Sequence, residues 1–307
     1  MKKVLVATDK PFAPIAVRGI REVVEEAGFE LRLLEGYTTK EKLLSAVADV
    51  DAMIVRSDKA DKDVINAAAK LQIIVRAGAG YDNVDLQAAT DKGVVVMNTP
   101  GQNSNAVAEL TLGLMISHAR NFFNGKSGFE LREKTLGIHA YGYVGKNVAR
   151  IAKGFEMEVC AFDPFIPKEE IEQDGVKWIG TVEELYKTCQ YISVHIPANA
   201  QTKESINYAL LSLMPRNGVL VNTARAEVIN EKDLLKIFTD RDDLAYLSDI
   251  APANLADFQN TFASRIFCTP KKMGAQTEEA NVNAGIASAK QIVAFIRHDD
   301  RTFQVNK

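Results

Sequence analysis

The sequence predicts an α/β protein built as two doubly wound parallel-sheet domains joined by long helices. Short β-branched runs alternate with amphipathic helical patterns along the whole chain, and the series starts afresh once, near residue 135. At that restart a strand runs into a glycine-containing turn that opens a helix. The 307 residues suffice for two cores of ordinary size.

In the first hundred residues "KVLVAT", "ELRLLE", "DAMIVR", "LQIIVRA" and "VVVMN" read as strands. Between them "PIAVRGIREVVEEAG", "TKEKLLSAVA", "KDVINAAAK" and "NVDLQAATDKG" carry apolar residues at three- and four-residue intervals, the mark of helices. The stretch "NSNAVAELTLGLMISHARNFFNG" predicts one helix of more than about twenty residues, too apolar for a free linker. The second series runs through "KTLGIHA", "EVCAFD", "YISVHIP", "GVLVNTA", "LAYLSDI" and "IFCTP". Its helical patterns are "GKNVARIAKGF", "VEELYKTC", "ALLSLMP" and "EKDLLKIF", and "TEEANVNAGIASAKQIVAFIR" closes the chain with Thr277 as its N-cap.

Charge excludes some partners. Lys plus Arg is 37 against 40 for Asp plus Glu, a net of −3, so no basic field invites nucleic acid or an anionic membrane. The apolar run in "MKKVLVATDK" meets Thr8 and Asp9 too soon for a secretory h-region. No stretch approaches the ~20 apolar residues of a membrane span. Cys160, Cys189 and Cys268 are isolated, without metal-ligand spacing. These features lead us to expect a cytoplasmic protein with no metal.

The turn Ala140-Tyr141-Gly142-Tyr143-Val144-Gly145 is the dinucleotide pattern with alanine in place of the first glycine. Gly142 would let the backbone approach a pyrophosphate, and the helix opening at Tyr143 and Val144 would offer unpaired N–H groups. A left-handed backbone at Ala140 would cost roughly 1–2 kcal/mol. Asp163 ends the next strand, 18 residues after Gly145, where a carboxylate accepts ribose hydroxyls and repels a 2′-phosphate. The expected cofactor is therefore NAD rather than NADP.

Ligands of open parallel sheets bind beyond the carboxyl ends of the strands. Five successive strands deliver Asp163, then His195 and Pro197, then Thr223 and Arg225, then Asp249, then Lys271 and Lys272 to such ends. Arg225 has the planar fork to hold a carboxylate. His118, His139 and His298 are expected to be packed or solvated, and His195 to shape its loop or line the cofactor.

With these residues in view, the chain resembles the D-isomer-specific 2-hydroxyacid dehydrogenases over nearly its full length. The resemblance rests on "VRSDK", "VRAGAGYDNVD", "NTPGQNSNAVAEL", the glycine turn, "VHIP", "VNTARAE" and "GAQTEEA", and is closest to the short members acting on a phosphorylated hydroxy acid. It implies a flavodoxin-like substrate domain from residues 1–98 plus 285–307, a Rossmann NAD-binding domain from 99–284, and a homodimer. It also implies that the serine-binding regulatory domain of longer relatives is absent. Besides the residues above, Ala224 and Gly274 would line the cofactor. Arg56, Ser57, Lys59, Arg76, Gly78, Ala79, Gly80 and Asn103 would meet the substrate, with Lys10 a more distant phosphate candidate.

The family's catalytic trio is Arg, Glu and His. Arg225 matches the arginine; the glutamate's position is Asn254, and the histidine's is Lys272, with Lys271 as a one-residue insertion. The paired loss is chemically coherent. A histidine of pKa ~6.5 needs a glutamate to stay protonated near neutrality, whereas a lysine of ~10.4 is already charged. In the oxidising direction a lysine must first be neutral, and lowering an amine to ~8 costs about 3.3 kcal/mol. The expected function is NAD-dependent interconversion of D-3-phosphoglycerate and 3-phosphohydroxypyruvate, the entry to serine synthesis. The rivals are a glycerate, glyoxylate or hydroxypyruvate reductase, and a binding module that kept the fold and lost catalysis.

Overall fold

The computed structural model describes residues 1–306. The chain runs β1 (Lys3–Thr8), α1 (Pro14–Glu26), β2 (Glu30–Glu35), α2 (Lys40–Val47), β3 (Ala52–Val55), α3 (Lys62–Ala67), β4 (Ile73–Arg76), α4 (Leu86–Asp91), β5 (Val95–Asn98) and α5 (Ser104–Ala119). It continues with β6 (Thr135–His139), α6 (Tyr143–Gly154), β7 (Glu158–Phe162), α7 (Lys168–Gln173), β8 (Lys177–Trp178), α8 (Val182–Thr188), β9 (Tyr191–Val194) and α9 (Tyr208–Ser212). β10 (Val219–Asn222), α10 (Glu231–Asp240), β11 (Ala245–Ser248), α11 (Leu255–Phe262), β12 (Ile266–Cys268) and α12 (Glu278–His298) complete it. Two compact units result: residues 1–103 with 276–307, and residues 104–275.

The first unit holds the sheet β2-β1-β3-β4-β5, parallel throughout. In-register side chains of a parallel sheet share a face, and the two faces of this sheet bury separate apolar layers. Leu5, Met53, Ile74 and Val96 stand in one row and join one layer. Val6, Ile54, Val75 and Met97, one residue further on, belong to the other. Because both faces are covered, the inner strands β1, β3 and β4 read as apolar runs, while the edge strand β2 carries Glu30, Arg32 and Glu35. Ala284, Ala289 and Ile292 of α12 complete the second layer. A methyl group on Gly19 of α1 would lie 2.5 Å from the Ile286 side chain of α12, which would have to move to admit it. The sequence-based boundary between 284 and 285 would cut through α12, whereas the compact unit takes the helix whole.

The second unit holds β12-β11-β10-β9-β6-β7-β8, also parallel throughout. Strand order reverses between β6 and β9, as it does between β1 and β3 in the first unit. Such switch points open a crevice between the two neighbouring loops. α5 packs Ala108, Leu112 and Met115 into this unit's core. The helix is shorter than expected: 16 residues, followed by a turn in which Asn121, Phe122 and Phe123 all have positive φ. Asparagine tolerates that region, while phenylalanine pays in sterics. The compensation is aromatic, since Phe122 stacks on Phe267 at 5.4 Å and meets the edge of His118 at 6.0 Å. Among the described residues no helix is long and apolar enough to cross a membrane.

Candidate active site

The glycine turn has the geometry its sequence requires. Ala140 adopts φ +83°, the left-handed backbone that the missing first glycine would take at no cost. Gly142 is the N-cap of α6 and has open space where a Cβ would stand. At Gly145 a Cβ would lie 2.4 Å from the Ala140 carbonyl, so only glycine lets α6 approach β6 this closely. Tyr143 is 60% exposed at the first helical position. Asp163 braces the turn: its carboxylate oxygens accept the Tyr141 and Phe165 backbone N–H groups, each at 2.8 Å.

Across the switch point, His195 follows β9. Its backbone N–H donates to the His139 carbonyl at 2.9 Å and its Nε2 lies 2.8 Å from Ser193 Oγ. Burial pushes the His195 pKa down to about 3, with His139 adding repulsion. His139 itself is buried against Tyr186 and pushed to about 4, against a weaker opposing pull from Asp163. Both rings are neutral near pH 7 and shape their loops. Pro197 is exposed at the end of the His195 loop.

The loop after β10 is built by Asn222, which is fully buried. Its Nδ2 donates to the Arg225 carbonyl at 2.9 Å and its Oδ1 accepts the Ala224 N–H at 3.0 Å. Thr223 is pinned to α5 through Thr111, hydroxyl to hydroxyl at 3.1 Å. Arg225 is half-buried, forms no ion pair with a described residue, and donates from Nη1 to the Ala224 carbonyl at 2.8 Å.

Asp249 follows β11 and is fully buried. Its Oδ2 accepts the Met273 and Gly274 N–H groups at 3.1 and 2.7 Å, which fixes the loop carrying the lysines. Its Oδ1 is buried with no partner. An unsatisfied carboxylate oxygen is costly, and an amide N–H₂ from a ligand would satisfy it. Burial, with the Asp249 charge adding to it, pushes the Cys268 thiol up to about 12. Lys272 Nζ reaches the Ala224 carbonyl at 3.4 Å, the same oxygen that receives Arg225. Lys271 contributes its backbone carbonyl to Thr269, while its side chain is exposed with no partner among the described residues. Asn254 takes part in none of these bonds. It is the exposed N-cap of α11, on a cleft of about 490 Å3 that also holds Glu227, Glu231 and Lys203.

In the first unit the predicted substrate residues gather after β3 and β4. Arg56 donates from Nη2 to Asn281 Oδ1 at 2.8 Å, and its guanidinium lies 5.3 Å from the Phe12 ring centre. Arg76 Nε donates to the Arg56 carbonyl at 2.9 Å. Gly78, at φ +150°, leaves room for that guanidinium: a Cβ would lie 1.6 Å from Arg76 Nη1. Ala79 accepts from Asn98 at 2.6 Å, and Gly80 is half-buried beside it. Ser57 and Lys59 are exposed on an open cleft of about 410 Å3 shared with Asp9, Tyr37 and Asp61. Asn103 is half-buried, one residue before α5. Sequence reasoning missed Asn281, Asp58, Tyr37 and Thr111. Each acts through a partner distant in the chain, and of the motifs that carry the resemblance only "VRSDK" contains one of them, Asp58.

Comparisons with known proteins agree with this geometry. The family described as D-isomer specific 2-hydroxyacid dehydrogenase, NAD binding domain, matches residues 109–270. The D-3-phosphoglycerate dehydrogenase of Methanocaldococcus jannaschii is 38% identical over 291 residues, covering 90% of this chain and 55% of that protein. The chain thus spans about half the length of that relative. The hydroxypyruvate reductase of Thermotoga maritima is 33% identical over 86% of this chain and 90% of its own length. An NAD+-bound crystal structure of 3-phosphoglycerate dehydrogenase from Entamoeba histolytica superposes with a TM-score of 0.88 at 48% identity, over 100% of this chain and 99% of that one. On the strength of the matched domain and of relatives aligned along most of both chains, this protein belongs to the D-isomer specific 2-hydroxyacid dehydrogenase family, with the second unit carrying its NAD-binding domain.

Proposed function

We propose that the chain is a D-3-phosphoglycerate dehydrogenase in which Lys272 is the acid/base. The observation that carries this reading is the meeting of Lys272 Nζ and Arg225 Nη1 on one carbonyl, that of Ala224, beside a loop fixed by Asp249. NAD, when bound, supplies or accepts the hydride. The residues present suit it: Gly142 leaves its approach open, and the unpartnered Asp249 Oδ1 is an acceptor for the carboxamide.

In this reading Arg225 holds the substrate carboxylate and polarises the 2-keto oxygen. Lys272 donates its proton to that oxygen during reduction and recovers it during oxidation. Lys272 is preferred to Lys271 because its amine, and not its neighbour's, reaches the Ala224 carbonyl. We assign the carboxylate and phosphate contacts to Arg56, Ser57 and Arg76 with the 78–80 backbone, and leave Asn254 without a catalytic task. The test is NADH oxidation with 3-phosphohydroxypyruvate: turnover lowered by ~10²–10⁴ in Lys272→Ala and retained in Lys271→Ala is expected. Full activity in Lys272→Ala removes the amine from the mechanism.

The full-length likeness to the Thermotoga maritima hydroxypyruvate reductase favours a second reading, reduction of unphosphorylated 2-keto acids. A kcat/KM for hydroxypyruvate above that for its phosphate selects it. We further propose a cytoplasmic homodimer. Exposed Phe123, Phe129 and Phe155 in the second unit support a self-association surface. Sedimentation equilibrium is expected to give twice the chain mass, and a monomer rejects the dimer.

A further inference from the structure

Asp58 is a carboxylate only 6% exposed that forms no ion pair with any described residue. Such a group is stable in a fold only when hydrogen bonds replace its water. Its Oδ1 accepts the Asp9 backbone N–H at 2.7 Å and the Tyr37 hydroxyl at 2.6 Å. Its Oδ2 takes a longer contact, 3.4 Å, from the Arg56 N–H, and its own carbonyl accepts Asn83 Nδ2 at 2.6 Å. The Tyr37 pKa is raised, first by burial and then by this carboxylate, so the phenol remains a donor.

The placement of these partners gives the bonds their meaning. Asp9 follows β1, Tyr37 follows β2 and Arg56 follows β3, three neighbouring strands of the sheet. β1 and β3 flank the switch point of this unit, where ligands of open sheets bind. One buried carboxylate therefore ties together the loops on both sides of the crevice mouth. Arg56 and Ser57 lie immediately before it, with Ser57 exposed and the Arg56 guanidinium already held by Asn281.

We propose that Asp58, with Tyr37 as its donor, is a positioning residue for substrate recognition: it fixes the Arg56–Ser57 backbone without touching the substrate. This rests on the reading of that loop as the acid-binding loop. The effect falls on the substrate's KM and leaves kcat and the KM for NADH near their wild-type values. Steady-state kinetics of Tyr37→Phe, Asp58→Asn, Asp58→Ala and Arg56→Ala with 3-phosphohydroxypyruvate test it. Asp58→Ala is expected to raise that KM about 10- to 100-fold, and Tyr37→Phe about 3- to 10-fold, the loss of one charge-assisted bond. Asp58→Asn keeps an acceptor for Asp9 and Tyr37 and is expected to recover most of the loss. Should Asp58→Ala fail to fold, Tyr37→Phe decides, since it removes a single hydroxyl. Arg56→Ala with an unchanged KM defeats the acid-binding loop and the inference together. A raised KM in Arg56→Ala beside unchanged values in Tyr37→Phe and the Asp58 variants, or a fall in kcat alone, overturns the positioning role only.

Discussion

The arginines on the rims of the two sheets are held differently. In the first unit the arginines after β3 and β4 are already engaged: Arg56 with Asn281 and the Phe12 ring, Arg76 with the Arg56 carbonyl. In the second unit Arg225 has no acidic partner among the described residues, its guanidinium shares a backbone carbonyl with an ammonium, and a buried carboxylate oxygen lacks a donor among those residues. The arginines of the first rim are pre-arranged by their partners, whereas Arg225 on the second stands near a buried carboxylate oxygen that a ligand could satisfy. Orientation benefits from the former, because little entropy is then lost on binding. Proton transfer needs the latter, because its groups must change partners.

The sharpest division of labour is kinetic. Lys272→Ala is expected to lower kcat by ~10²–10⁴, the usual worth of a general acid, with little change in the KM for the keto acid. Asn281→Ala, which removes the shortest side-chain bond of Arg56, is expected to raise that KM severalfold at unchanged kcat. A Lys272→Ala enzyme impaired only in KM would erase the distinction between the rims.

Next comes the approach of α6 to β6. Gly145→Ala places a methyl group against the Ala140 backbone carbonyl, so the helix must retreat, at about 1–3 kcal/mol. We expect a lower Tm and weaker NADH binding by fluorescence titration. Unaltered NADH affinity in a destabilised variant would mean that this contact serves packing alone.

What could be read in the sequence follows from the range of each interaction. The glycine turn, Asp163 and the strand ends are local, and spacing suffices to find them. Ala140 was legible as a strained position for the same reason. The bond from Arg56 to Asn281 spans 225 residues, and Thr223 meets Thr111 across 112. No periodicity encodes such pairs, since they exist only after both strand order and helix placement are set. The end of α5 was misread because "HARNFFNG" has helical polarity, whereas aromatic packing of Phe122 on Phe267 decides the backbone there.

A smaller effect concerns acid stability, and it belongs to the second unit. His139 and His195 are pushed to about 4 and about 3, below the ~6.5 of an unfolded histidine. Between pH 6.5 and 4 the unfolded chain therefore binds more protons than the folded one, and stability falls as pH falls. The loss for His139 is on the order of 2 kcal/mol from pH 6.5 to 5. Urea midpoints of His139→Asn and the parent across that range should converge toward acid. Parallel curves would show that the ring is not protonated on unfolding.

The smallest effect compares two turns that follow strands. After β4 the first unit uses Gly78 at φ +150°, and after β6 the second uses Ala140 at φ +83°. A left-handed alanine costs roughly 1–2 kcal/mol, while glycine gives back about 0.5–1 kcal/mol in unfolded-state entropy. Ala140→Gly should therefore stabilise the second unit by roughly 0.5–1 kcal/mol, read as a small rise in its unfolding midpoint. Gly78→Ala should do the reverse in the first unit and raise the KM for the keto acid, because its Cβ displaces the Arg76 guanidinium. If Ala140→Gly instead lowers the midpoint, the Asp163 brace on Tyr141 already offsets the strain, and the alanine is the better residue for holding the turn open.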